Sequence, residues 1–257
     1  MNYPDLQIEL KDDIAVVRLM RQAKRNALSD SLILALRDVF EKLPPNVRAA
    51  VIDGDGPHFC AGLDLSELKE RDAAQGMHHS RMWHAALDRI QHGPVPVIAA
   101  LHGAVVGGGL ELASACHIRV ADKSTFYALP EGSRGIFVGG GGSVRIPKLI
   151  GVARMTDMML TGRVYGADEG ERAGFAQYLV PEGTAFDKAM ELARRVAENA
   201  PLTNYALMHA LPRIAEQPSD QGFFTEAMMA AIAQSAPEAK ERVRDFLEGR
   251  GAKVSKG

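Results

Sequence analysis

The run His102-Gly103-Ala104-Val105-Val106-Gly107-Gly108-Gly109-Leu110-Glu111-Leu112 decides how the rest of the chain is read. Before it stands Pro94-Val95-Pro96-Val97-Ile98-Ala99-Ala100-Leu101, an apolar, partly β-branched stretch whose composition predicts a buried strand. After it, Leu110 to Cys116 is apolar with small side chains and predicts a buried helix. Gly107, Gly108 and Gly109 therefore fall at a strand-to-helix turn. Glycines let backbone approach a ligand closely, and the first N–H groups of a helix lack partners within it and sit at its positive end. Glu111 follows in the first turn. Donors placed for a developing negative charge beside a carboxylate make a catalytic corner. The same residues, taken alone, would equally serve tight packing and ordinary helix-dipole chemistry.

The bulk of the chain narrows the classes. Its 257 residues suffice for one large domain with an appendage. A formal net charge of −2 gives no electrostatic case for nucleic acid or a membrane surface. Cys60 and Cys116 offer no disulfide framework and fit a reducing compartment. With no charged-then-apolar leader and no apolar run of transmembrane length, the expected location is the cytoplasm.

Periodicity supplies the architecture. Leu6–Leu10 and Ile14–Met20 read as paired strands around Lys11-Asp12-Asp13. Leu32, Leu36, Val39, Phe40 and Leu43 recur at helical spacing and stop at Pro44-Pro45. Arg48–Asp53 is a further strand, and His117–Ala121 another. In His58–Glu67 a strand end meets Gly62, and Asp64 with Glu67 has the spacing of a capping box. That spacing predicts a second helix start, with the Leu63 N–H beside it. Arg71–His92 reads as a polar helix with solvated histidines His78, His79 and His84, without metal-ligand spacing, and Trp83 either lines a pocket or fills core. The glycine-rich loop from Gly132 to Ser143 has neither the dinucleotide fingerprint nor a phosphate loop. It misses the hydrolase elbow at Ser133 because Glu131 stands where the first glycine belongs. Strands alternating with helices predict an α/β fold. Helix-like segments at 185–199, 202–216, 221–234 and 238–247, separated by Pro201, Pro218 and Pro237, divide the chain into residues 1–199 and an α-helical region 200–257.

Five segments, Arg25-Asn26-Ala27-Leu28, Phe59-Cys60-Ala61-Gly62-Leu63-Asp64-Leu65, Gly103–Leu112, Pro130-Glu131 and Gly139–Arg145, resemble in order and spacing the crotonase superfamily, the enoyl-CoA hydratase/isomerase family. The resemblance spans most of the chain. It implies a spiral of repeated ββα units with a C-terminal helical region for trimer formation, as homotrimer or homohexamer. It implies an acyl-CoA thioester substrate, with CoA carried by the substrate and no separate cofactor or metal. Its carbonyl oxygen would sit in an oxyanion hole made by the N–H groups of Leu63 and Gly108. The family's two hydratase glutamates correspond to Glu111 and Glu131. By the same likeness Lys24, Ala27, Ala61, Asp64 and Leu65 match segments that contact CoA, and Gly139 the glycine near the reacting water. Position near a helix start would favour the ionised form of Glu111. Gln22, Val138 and His117 depart from residues common in the family. Cys60 is read as a small buried residue rather than a nucleophile. The implied reaction is hydration of a 2-enoyl-CoA. The rivals are double-bond isomerisation, hydration followed by cleavage of an aromatic acyl chain, and a non-catalytic binding or assembly role.

Overall fold

The computed structural model of the chain describes residues 3–67 and 69–250. The chain divides into two compact units between Ala197 and Glu198. In the first, β1 (Leu6–Lys11) turns at Asp12, which adopts a positive φ, and pairs antiparallel with β2 (Ile14–Leu19). Then follow α1 (Asp30–Glu41), β3 (Ala49–Gly54), α2 (Ala73–Gln91), β4 (Val97–Leu101), β5 (Ala104–Val106) and α3 (Gly108–Ala115). The unit continues with β6 (Ile118–Asp122), β7 (Phe126–Ala128), α4 (Gly142–Ile150), α5 (Val152–Thr161), β8 (Tyr165–Gly166), α6 (Ala167–Ala173), β9 (Tyr178–Val180) and α7 (Ala185–Ala197).

The strands form two sheets, and from β4 to β7 they alternate between them. The larger runs β1-β2-β3-β4-β6-β9, parallel from β2 onward, and the smaller runs β5-β7-β8. Single bridges extend the smaller sheet, Cys60 to Val105 and Leu63 to Leu28. Each turn of the chain thus lays one segment in each sheet before a helix carries it onward, the ββα spiral that the resemblance implies.

Both faces of the inner strands β2, β3 and β4 are covered, which is why these are largely apolar, whereas the edge strand β1 alternates. Val17, Ala50, Ile52, Val97, Ala99 and Leu101 enter one core with Leu32, Leu36 and Phe40 of α1 and Leu87 and Ile90 of α2. Their neighbours Val16, Val51, Ile98 and Ala100 point the other way, onto Ala189, Met190 and Ala193 of α7. Ser29 begins α1 by accepting the Leu32 N–H at 3.1 Å.

The capping box expected at Asp64 and Glu67 does not form. Residues Leu65–Glu67 make one 3-10 turn, in which Asp64 accepts the Ser66 N–H, while Glu67 accepts the Asp30 N–H across the chain at 3.0 Å. The other Asp64 oxygen is held by Arg21 and Lys24, each at 2.8 Å. The helix begins later, where Asp72 and Gln75 cap each other reciprocally. Leu63 is therefore not at the start of an α-helix.

The second unit carries α8 (Pro201–Tyr205), a π-helical stretch Ala206–Ala210, α9 (Leu211–Ile214), α10 (Ser219–Ser235) and α11 (Pro237–Leu247). Periodicity predicts one helix over 202–216. Pro212 has no N–H for that ladder, and the wider π turn immediately before it accommodates the loss. None of the described helices is long and apolar enough to cross a membrane.

Candidate active site

A strap of backbone builds the site. Phe59–Asp64 lies between residues 25–28 and the segment 102–106. On one side Ala61 N–H bonds to Arg25 O at 3.0 Å, Leu28 N–H to Gly62 O at 2.7 Å and Asp64 N–H to Leu28 O at 2.9 Å. On the other, Phe59 N–H reaches His102 O, Cys60 N–H reaches Ala104 O, and Val106 N–H reaches Cys60 O. Asn26, fully buried in the left-handed region, fastens the entrance: its Oδ1 accepts the Arg21 N–H while its Nδ2 donates to Asp55 O and His58 O. Every neighbour of Leu63 is thus paired to a fixed partner. Among the described residues, the N–H groups of Leu63 and Gly108 have no protein acceptor.

The three glycines of the turn answer to three different contacts. Gly107 holds φ +53°, and a Cβ there would lie 2.7 Å from Glu131 Oε1. At Gly108 a Cβ would stand 3.4 Å from both Leu63 N and the Trp83 ring. At Gly109 it would strike Cys60 O at 2.3 Å. The turn is pressed against the strap on one side and Glu131 on the other.

A cavity of about 360 Å³ opens at this point, lined in part by Leu63, Trp83, Gly108, Glu111, Glu131, Val138 and Gly139. Four of its lining residues, Gly76, His79, Ser80 and Trp83, fall on one face of α2. Asp30, at the first turn of α1, accepts from Trp83 Nε1 at 3.0 Å and pairs with His79 Nε2 at 2.7 Å. Burial raises the Asp30 pKa, but these hydrogen bonds outweigh it and hold the carboxyl below its ordinary range. His79 is therefore a bonded wall residue and not a solvated one. Trp83 does both of the things considered for it, being buried and lining the cavity.

Glu111 and Glu131 arrive from α3 and from the end of β7, and both line the cavity. Glu111 Oε1 accepts two N–H groups, from Gly140 and Gly142, each at 2.8 Å. The glycine run that binds no phosphate by motif thus cradles a carboxylate: a Cβ on Gly142 would meet that oxygen at 2.9 Å. Burial pushes Glu111 up to about 7 against those two N–H groups, with the Glu131 charge adding to the rise and Arg145 opposing it. The first-turn position was expected to favour ionisation; desolvation is the larger effect here. Burial also raises Glu131, against its own backbone N–H and Arg134. Its Oε2 is buried without a protein donor among the described residues.

The other candidates fall outside the cavity lining. Lys24, Ala27, Ala61, Asp64 and Leu65 gather along the strap beside Leu63, and only Gly139 of that set lines the cavity. The Asp64 carboxylate is occupied by Arg21, Lys24 and Ser66, which hold its pKa far below the usual range. Cys60 and Cys116 are free, buried thiols pushed up to about 12, so a nucleophilic role at either is set aside. Among the described residues no cluster could hold a metal ion.

Residues 9–256 match the enoyl-CoA hydratase/isomerase family. The chain belongs to that family. A crystal structure from Rhodopseudomonas palustris, of a protein provisionally described as an enoyl-CoA hydratase, is 60% identical with a TM-score of 0.94 and 97% of each chain covered. An enoyl-CoA hydratase structure from Bacillus anthracis is 29% identical with a TM-score of 0.89, covering 97% of this chain and 98% of that one. The enoyl-CoA hydratase EchA19 of Mycobacterium tuberculosis is 29% identical over 96% of this chain and 95% of its own. The protein is thus a crotonase-type enzyme of acyl-CoA chemistry.

The geometry predicts the effect of Gly107→Ala. A positive φ and a Cβ 2.7 Å from Glu131 Oε1 cannot both be accommodated without movement. Stability falls by about 1–3 kcal/mol in denaturant unfolding, and a crystal structure of the variant shows the Glu131 carboxylate displaced. An unmoved Glu131 would count against the contact.

Proposed function

We propose that this enzyme adds water across the 2,3-double bond of an enoyl-CoA thioester. The supporting observation is convergence: two buried carboxyls from separate segments and two backbone N–H groups without protein acceptors border one cavity. In this reading Leu63 and Gly108 donate to the thioester carbonyl oxygen. When a water oxygen bonds to the β-carbon, the π electrons of the double bond move toward the thioester carbonyl oxygen, and the resulting enolate is stabilised where donors already point. Glu111, anchored through Oε1, takes a proton from the adding water; Glu131 delivers one to the α-carbon. The thioester needs no further cofactor, CoA being part of the substrate. Lys24, Ala27, Ala61 and Leu65 form the CoA side, with Asp64 holding Lys24, and Gly139 leaves room beside the water. The two free cysteines fit a cytoplasmic enzyme.

Crotonyl-CoA, followed by loss of the enoyl-thioester absorbance, tests the reading. Glu111→Gln and Glu131→Gln each lose on the order of 10²–10⁴-fold in rate while keeping the circular dichroism of the parent. Because the pair acts as a unit, the double variant is far less than multiplicatively worse. Full hydration by Glu111→Gln would overturn the two-glutamate mechanism, and double-bond migration by that variant through Glu131 alone would replace it with isomerisation. A panel including phenylpropenoyl-CoA separates simple hydration from hydration with cleavage.

The raised carboxyls set the pH dependence. A base whose value lies at about 7 is progressively protonated below it, so kcat/KM falls as pH drops through that range. An acid limb centred near the ordinary glutamate value would show that Glu111 is not the base.

The second unit bears on assembly. In α10 only Gly222 is buried, while Phe223 and Phe224 are 70% and 71% exposed, with Met228 and Ile232 also outside. Apolar surface of this density is covered in stable proteins, and a homotrimer or homohexamer covers it. Sedimentation at micromolar concentration gives a trimer-based mass; a monomer would refute this.

A further inference from the structure

The cavity extends beyond the reacting groups along α2. Trp83 marks the reacting end, because a Cβ on Gly140 would lie 3.2 Å from both the Trp83 ring and Glu111 Oε2. Gly76, seven residues earlier on the same helix face, lies about 10 Å along the axis from Trp83. Arg71 precedes the helix cap and lines the cavity too. The carboxylates of the lining, Glu111 and Glu131, belong to the reacting end, while the Arg71 guanidinium reaches Asp30, the carboxylate that also binds His79 and Trp83 Nε1.

That guanidinium is poorly neutralised. Its partner is Asp30, with Nη2 3.8 Å from Oδ2, beyond hydrogen-bond length. The close bonds of Asp30 go to His79 and Trp83, both at Oδ1. A guanidinium offers five N–H donors, and among the described residues none of those on Arg71 makes a hydrogen bond. Its side chain is only 23% exposed, so water does not fully compensate. A cavity meant only for a hydrocarbon tail, otherwise walled here by Ile136, Phe137 and Val138, is impaired by such a group. A carboxylate matches it in charge and in fork geometry.

We infer that the cavity selects 2-enoyl-CoA thioesters whose acyl chain ends in a carboxylate, held by Arg71 on the α2 side of the cavity. This rests on the hydratase reading above and names its substrate class. Arg71 is then a specificity residue, remote from the reacting carbons, and its contact is made alike in the ground state and the transition state. Its loss acts mainly on KM.

The test compares 2-enoyl-CoA thioesters of six, eight and ten carbons ending in methyl or in carboxylate, on the intact enzyme. The wild type prefers the carboxylate member at one chain length at least, by about tenfold or more in kcat/KM. Arg71→Gln removes that preference chiefly through KM, with the circular dichroism of the parent reporting a folded chain; Arg71→Lys restores part of it as a point charge. A wild type that favours methyl ends at every length, or an Arg71→Gln variant that keeps the carboxylate preference, overturns the inference alone. If neither series is hydrated, the hydratase reading itself has failed.

Discussion

The site depends on a strap hydrogen-bonded to neighbours on both sides, with the Leu63 N–H left without a protein acceptor among the described residues. Cys60 and Leu63 bridge to different segments, so the strap is registered by strand-type hydrogen bonds and not by a helix. Such pairing fixes a backbone donor more rigidly than a side chain could, because no rotamer separates it from the scaffold. Asn26 makes the arrangement depend on a single side chain: its three hydrogen bonds join the turn at Arg21 to the loop at Asp55 and His58. Removing its amide would leave several buried backbone groups without partners, at a cost of about 1–3 kcal/mol each.

Against this rigid frame the electrostatics are costly by design. Glu111 and Glu131 are both buried, and charge on one disfavours charge on the other. A carboxyl in water is almost wholly ionised at neutral pH and has no proton to give. Burial brings Glu111 to about 7, where both forms are populated. The N–H groups of Gly140 and Gly142 limit that rise and fix which oxygen stays anchored. Glycines are required there because a side chain would occupy the space of the carboxylate.

Much of this was legible in the sequence because its signals are local. The strand before Gly107, the turn itself and the helix after it follow from apolar runs broken by glycine, and the family spacing adds Leu63, Gly108, Glu111 and Glu131. What escaped was set by distant partners. Asp64 and Glu67 have capping-box spacing, yet Arg21, Lys24 and the Asp30 N–H claim them first. α4 contains Pro147 and follows a glycine run, so local propensity reads it as loop. The cavity wall on α2 did carry a signal, Gly76, His79, Ser80 and Trp83 at helical spacing. Its polar character drew attention to solvent, and only the fold brings Asp30 to His79 and Trp83.

The unpartnered oxygen of Glu131 shows why stability and chemistry are divided between parts of the molecule. A buried carboxyl oxygen without a protein donor destabilises the fold. Gly107 holds a φ that a side chain would strain, and the Glu131 carboxyl occupies the place its Cβ would take. Neither feature helps the chain fold. Both are tolerated because the large sheet, buried on two faces by α1, α2 and α7, supplies the stability independently of the site. A proton-donating group needs an acceptor that arrives with the substrate, and a partner supplied by the protein would compete with it. On the proposed mechanism, the Glu131 oxygen to which no described residue donates is the one left to the substrate, at the edge of the cavity where the turn and the carboxyl meet.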